Sequence, residues 1–123
     1  MKFNQLSPQL YTTQLQQSVD FYVNVLGFYC AAFVPAYNWA RVQRGGADIM
    51  LCLPNQHTAF EKPIFTGSFY INTTGIDALW ETLKDKVQVC YGIENFAYGM
   101  REFAIYDNNG YLLQFGEEIP DQP

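Results

Sequence analysis

"YGMREFAIYDNNGYLLQFGEE", Tyr98 to Glu118, is the stretch that decides the fold. Phe103 and Ile105 precede the turn Asp107-Asn108-Asn109-Gly110, and Leu113 and Phe115 follow it, with polar or small residues between. Alternation on both sides of an Asn- and Gly-bearing turn is the pattern of a β-hairpin. A hairpin that buries one face leaves its other face free for chemistry. Glu102 and Gln114 fall on that second face. One is an acid and the other an amide where a carboxylate could bind a metal, so the stretch poses a choice between binding and catalysis.

Upstream, the chain reads as two halves of one pattern. "TQLQQSVDFYVNVLGF" places Thr13 and Gln16 at capping-box spacing and Val19, Tyr22, Val25 and Leu26 on one face. This predicts a helix over Leu15 to Leu26, ended by Gly27 in the left-handed conformation. A strand in "LSPQLYTT" precedes it, and strands Phe28 to Val34, Trp39 to Arg44 and Asp48 to Leu53 follow. The second half repeats the order: the strand "GSFYINT", a helix with Thr74 and Asp77 at capping-box spacing, then Val87 to Tyr91, Arg101 to Tyr106 and Gly110 to Glu117. Its helix stripe is Ile76, Leu79, Trp80 and Leu83. "PNQHTAFEKPIF" between them lacks periodicity and reads as a linker. The expectation is an α+β chain forming a single domain over 1–123, with module 1 at about 6–53, a linker at 54–65 and module 2 at about 66–118.

Composition narrows the partners. With 123 residues, 49% hydrophobic and 17% aromatic, the chain can bury one real core. Twelve acidic against seven basic residues give a net charge of -5, which opposes a phosphate backbone and mildly favours a cationic small molecule. Neither nucleic acid nor a membrane is expected as a partner, since no apolar run approaches the roughly 18 residues of a span. "MKFNQLSPQL" has no apolar signal core, so a cytoplasmic location is expected. Cys30, Cys52 and Cys90 lack CxxC spacing and sit in apolar strand contexts, as core thiols would.

Alternation sorts the strand residues into two sets. Leu10, Ile49, Leu51, Phe69, Ile71, Phe103, Ile105, Leu113 and Phe115 point to the helices. The opposite face holds Ser7, Gln9, Tyr11, Trp39, Arg41, Asp48, Met50, Ser68, Tyr70, Asn72, Glu102 and Gln114, an amphipathic surface suited to a small-molecule cleft. From it Tyr11, Trp39, Arg41, Met50, Tyr70, Asn72, Glu102 and Gln114 are the candidate ligand-binding residues. Tyr11, Trp39 and Tyr70 could stack a planar ligand or pack at a subunit junction. Burial could raise the pKa of Glu102 enough for general-base work, or Glu102 could pair with Arg41 or another base. "FVPAYNWARV" and the long connection "ENFAYG", Glu94 to Gly99, would form the two rims.

"SVDFYVNVLGF", "GADIMLCLP" and "YGMREFAIYDNNGYLLQFGEE" together closely resemble the vicinal oxygen chelate superfamily, which includes glyoxalase I, extradiol dioxygenases, fosfomycin-modifying enzymes and bleomycin resistance proteins. The likeness runs from about Leu6 to Glu118 and is nearest to the bleomycin resistance group. It implies two βαβββ modules whose curved mixed sheets form a cleft, a homodimer, and sequestration of a planar or cationic compound such as an antibiotic. The superfamily's enzymes hold a divalent metal through the first and last strands of each module, usually by His, Glu or Gln. Those positions fall here at Ser7, Ser68 and Gln114, with the fourth near Met50 or Cys52, and His57 lies in the linker. That set lacks the imidazole and carboxylate donors of hard-metal enzyme sites. No metal and no other cofactor is therefore expected, and binding leads over catalysis. The alternative is a lyase or isomerase related to glyoxalase I, dependent on a metal or on Glu102, or a dioxygenase relative.

Overall fold

In the computed structural model, which describes residues 1–120, Asp107 ties off the last hairpin. Its Oδ1 accepts the backbone N–H groups of Asn109, Gly110 and Tyr111, each at 2.9 Å. The turn joins β7 (Met100–Tyr106) to β8 (Leu112–Glu118), with Phe103 opposite Phe115 and Ile105 opposite Leu113. All four are buried. Full burial of such side chains contributes roughly 1.5–3 kcal/mol each, so a one-residue slip of register would forfeit most of this core.

The chain divides into two units, Met1–Glu61 and Lys62–Pro123, and each carries one four-stranded sheet. The first unit contains β1 (Gln9–Tyr11), α1 (Leu15–Asp20), β2 (Tyr29–Val34), β3 (Trp39–Arg44) and β4 (Ala47–Cys52). The second contains β5 (Phe69–Asn72), α2 (Ile76–Leu83) and β6 (Gln88–Phe96) ahead of β7 and β8. The sheet orders are β1-β4-β3-β2 and β5-β8-β7-β6. In each, the pair made by the first and last strands is parallel and the other pairs are antiparallel. Two mixed sheets in repeated βαβββ order are the expected architecture. Among the described residues no helix is long and apolar enough to cross a membrane.

The helices differ from expectation at their ends. Neither capping box forms. Gln14 is the N-cap of α1, and Thr12 Oγ1 accepts the Gln14 N–H at 3.0 Å while sharing a buried 2.7 Å hydrogen bond with Ser18. The first turn of α2 is capped from β8: Gly75 and Ile76 donate their N–H groups to Glu117 Oε1 at 3.1 and 3.0 Å. A side chain already fixed in a neighbouring strand can satisfy these orphan donors without local capping chemistry. The first helix is α-helical only to Asp20 and continues as a π-helical segment, Phe21–Val25, with the Leu26 N–H reaching Phe21 O at 3.1 Å. The wider turn seats Val19, Tyr22 and Leu26 in the core and rotates Val25 to half-burial. Gly27 follows at φ 75, where Arg44 Nη1 donates to Leu26 O at 2.6 Å and would lie 2.9 Å from any Cβ.

Two further expectations are corrected. Glu94 to Phe96 belong to β6, paired with Glu102 to Met100, so the connection after them shrinks to a turn around Tyr98 and Gly99. Cys30 and Cys90 are exposed, and only Cys52 is buried. Both exposed thiols stand on β2 or β6, each the outermost strand of its sheet and paired along one edge only.

Candidate functional site

The α2 side of the second sheet is filled by Phe103, whose ring meets Trp80 at 5.1 Å and Phe115 at 5.2 Å. The other side carries a polar cluster. Register sets Tyr70 beside Gln114 and Glu102 beside Gly116. Glu102 is 1% exposed and is reached by three phenols. Tyr70 and Tyr98 donate to Oε1 at 2.9 and 2.6 Å, and Tyr91 donates to Oε2. Gln114 Nε2 donates to the Tyr91 hydroxyl at 2.9 Å, and Gln114 Oε1 accepts from Ser68. A chain of hydrogen bonds thus runs from Ser68 through Gln114 and Tyr91 to the carboxylate. Gly116 makes room for it, since a Cβ there would stand 2.7 Å from Tyr70 Cζ.

These contacts decide the direction in which the pKa of Glu102 moves. Burial pushes it up, but the hydroxyls of Tyr91, Tyr98 and Tyr70 push it down, and together they prevail. Glu102 is therefore a carboxylate at neutral pH and a weak base. Tyr70 is raised to about 12, first by burial and then by its bond to Glu102. Tyr98 is also raised to about 12, first by that bond and then by burial. The phenols stay neutral. Among the described residues no basic side chain forms an ion pair with Glu102. The cover is shallow and aromatic: Tyr70 and Tyr98 are 39% and 65% exposed, and Phe96 stacks on Tyr98 at 5.4 Å and meets Tyr91 edge-on at 5.6 Å.

The corresponding face of the first sheet is built differently. Arg41 grips Asp48 with two bonds, Nε to Oδ1 at 2.8 Å and Nη2 to Oδ2 at 2.6 Å. Gln43 adds a 2.9 Å bond to Oδ1, and Ser7 donates to Oδ2 while accepting from Arg41 at 3.1 Å. Asp48 is held well below the usual carboxylate range, chiefly by Arg41 against the opposing effect of burial, with Ser7 and Gln43 assisting. Tyr11 donates to Asn55 Oδ1 at 3.0 Å and packs edge-on against Phe60. Trp39 and Met50 are half-buried, and Asn72 is exposed at the end of β5.

The model of the Glyoxalase/Bleomycin resistance protein/Dioxygenase superfamily matches residues 2–115. The chain belongs to this superfamily. Solved structures agree on the fold. A protein of unknown function from Agrobacterium tumefaciens str. C58 superposes with TM-score 0.80 at 17% identity, over 97% of each chain. TioX from Micromonospora sp. ML1 gives 0.75 at 17% identity, over 95% of this chain and 100% of its own. Lactoylglutathione lyase from Agrobacterium tumefaciens gives 0.72 at 17% identity, over 93% of this chain and 92% of its own. No curated protein matches the sequence.

The metal used by the superfamily's enzymes does not fit the residues this chain offers. Ser7 is engaged with Asp48 and Arg41, Ser68 with Gln114, and Gln114 with Tyr91. Near the fourth position stand the Met50 thioether and the buried Cys52 thiol, whose pKa burial pushes up. Among the described residues no three His, Cys, Asp or Glu side chains come together as ligands. His57 is exposed, and its backbone N–H bonds to Asn55. Of the residues singled out from the superfamily-like sequence, Tyr70, Glu102 and Gln114 form one cluster. Tyr91 and Tyr98 escaped notice. Tyr91 follows a register shift that breaks alternation, and Tyr98 sits in the turn. Their only signal is the number of tyrosines near Glu102, and Glu94 is a second acid on that face, opposite Glu102 in the ladder.

Proposed function

We propose that this superfamily member is a metal-independent small-molecule-binding protein. It holds a cationic, aromatic or amphipathic compound at the Glu102 cluster and releases it unchanged. The observation that carries this reading is a buried, ionised carboxylate capped by three phenols and, among the described residues, matched by no basic side chain. Phenolic donors stabilise the charge without cancelling it. A cation over the Tyr70 and Tyr98 rings gains the ring quadrupole, worth roughly 0.5–2 kcal/mol, in addition to attraction from Glu102. The net charge of -5 works in the same direction.

Sequestration is favoured over turnover because Glu102 has both oxygens engaged and a depressed pKa, which leaves it poor at accepting a proton. An antibiotic of cationic, planar character is one such ligand, and a cytoplasmic homodimer is the form in which we expect it to act. The test is calorimetric titration and thermal unfolding with bleomycin and planar cationic dyes, followed by mass analysis of the recovered compound. Binding with the compound intact, weakened about tenfold or more by Glu102→Gln, is the expected result. A chemically altered compound, or affinity indifferent to Glu102→Gln, would overturn the reading.

A further inference from the structure

Cations differ in what they ask of their surroundings, and the filled state of the Glu102 carboxylate decides among them. An ionised carboxylate offers about four lone-pair positions. Tyr70 and Tyr98 occupy Oε1 at 2.9 and 2.6 Å, and Tyr91 occupies Oε2. With Glu102 only 1% exposed, an incoming N–H reaches the carboxylate only by displacing a phenol. A protonated amine or a guanidinium carries roughly three to five N–H donors, hydrated in water, and each must be matched again wherever it is buried. The cluster therefore supplies negative charge while its acceptor positions are taken.

What the cluster presents outward is aromatic ring. Tyr70 and Tyr98 are pinned by their hydroxyls to the same carboxylate oxygen, yet both rings stay open to solvent. Phe96 backs Tyr98 at 5.4 Å with an interplanar angle of 14°, and Tyr91 braces Phe96 edge-on at 5.6 Å, so the open face of Tyr98 is the one turned from Phe96. Phenol lone pairs lie near the ring plane, so a cation seated over a ring face does not meet them. A quaternary ammonium suits such a surface. It has no N–H to satisfy, its charge is spread over methyl groups that pack on rings, and aromatic faces attract it. Glu94 stands opposite Glu102 in the β6–β7 ladder, is exposed, and forms no ion pair among the described residues. Its charge draws any cation to this face, but a hydrated surface carboxylate adds little to a direct contact, so selection falls to the rings.

We propose that the Glu102 cluster selects quaternary ammonium groups over protonated primary amines, an inference that rests on Glu102 being the cation site. The ring faces hold the methyl groups, and the phenol-filled carboxylate supplies the opposing charge. Choline is the probe, with ethanolamine as its primary-amine counterpart and 3,3-dimethylbutan-1-ol as its uncharged counterpart of the same shape. Titrations at pH 7 are followed by ¹H–¹⁵N NMR through the backbone amides of Tyr98, Gly99 and Glu102 and the side-chain amide of Gln114. The expected result is saturable shifts with choline and affinity at least about tenfold weaker for each counterpart. Tyr98→Leu, which removes a ring at an exposed turn, should weaken choline several-fold. Tyr98→Phe keeps the ring but frees a position on Oε1, so it should strengthen ethanolamine and narrow its gap to choline several-fold. Ethanolamine binding as tightly as choline would overturn the selectivity. If Glu102→Gln then abolishes both, the cation-binding reading stands, and if it changes neither, both readings fall. Equal affinity for choline and 3,3-dimethylbutan-1-ol, an unchanged gap in Tyr98→Phe, or no saturable shift with choline would each overturn the proposal, while the bleomycin titration decides the broader reading separately.

Discussion

Tyr91→Phe isolates the bond on which the Glu102 cluster most depends. The deleted oxygen serves two partners, donating to Glu102 Oε2 and accepting from Gln114 Nε2 at 2.9 Å. Glu102 is 1% exposed, so water does not readily replace the lost donor. A charge-assisted bond to a buried acceptor contributes about 1.5–3 kcal/mol, and half-buried Gln114 recovers part of its loss from water. We expect destabilisation of about 2–3 kcal/mol, measured by urea unfolding at pH 7. Tyr98→Phe should cost less, because Tyr98 is 65% exposed and solvent can take its place. The pH dependence adds a second readout. The folded pKa of Glu102 lies below its ordinary 4.5, so its contribution is present above that value and is lost as pH falls through the folded pKa. Without Tyr91 the upward push of burial meets less opposition, the folded pKa rises, and the acid-side loss due to Glu102 shrinks. A Tyr91→Phe cost under about 0.5 kcal/mol, a larger effect of Tyr98→Phe, or an unaltered acid limb would refute this account.

Gly116→Ala must displace Tyr70, whose freed hydroxyl is partly resolvated at 39% exposure. The lost bond, at the low end of roughly 1.5–3 kcal/mol, is offset by about 0.5–1 kcal/mol from replacing a strand glycine, giving a net loss near 1 kcal/mol. In a Tyr70→Ala background the same change should cost nothing, and additivity of the two would show that Tyr70 is not the obstacle. Arg41→Gln should lower stability at pH 7 and flatten the decline below about pH 4, since the fold depresses Asp48 chiefly through Arg41; an unchanged decline would exclude that coupling. In the native protein a thiol reagent should titrate Cys30 and Cys90 quickly and Cys52 only on unfolding. One fast thiol, or three, would contradict the burial pattern.

The parts of this structure that were legible in the sequence are those fixed by one-sided burial. Phe103, Ile105, Leu113 and Phe115 alternate because their strands have only one covered face, and that parity placed Tyr70, Glu102 and Gln114 together on the other. Contacts that depend on departures from regularity could not be read the same way. Tyr91 joins the cluster after a register shift, Tyr98 from a turn, and Glu117 caps a helix some 41 residues away in sequence. The direction of the Glu102 pKa depends on such contacts: burial is visible in an alternating pattern, but the three donors that outweigh it are not.

Aligning the two sheets by their own registers shows where sequence was free to diverge. Trp39 faces Cys52 as Glu102 faces Gly116, and Gln9 lies beside Met50 as Tyr70 lies beside Gln114. On the helix side the matched residues are all apolar and buried: Ala40 with Phe103, Val42 with Ile105, Ile49 with Leu113, and Leu51 with Phe115. Packing therefore holds one parity of each strand to a common chemistry. The opposite parity escapes that constraint, and there the same backbone places an indole in one unit and a carboxylate in the other. Gly116 shows the dependence within a site, because its missing side chain is what lets the Tyr70 hydroxyl reach Glu102. Cys52 at the matched position in the first unit carries a buried thiol instead, opposite Trp39. One repeated scaffold can thus carry two chemically unlike sheet faces without altering the core that holds either in place.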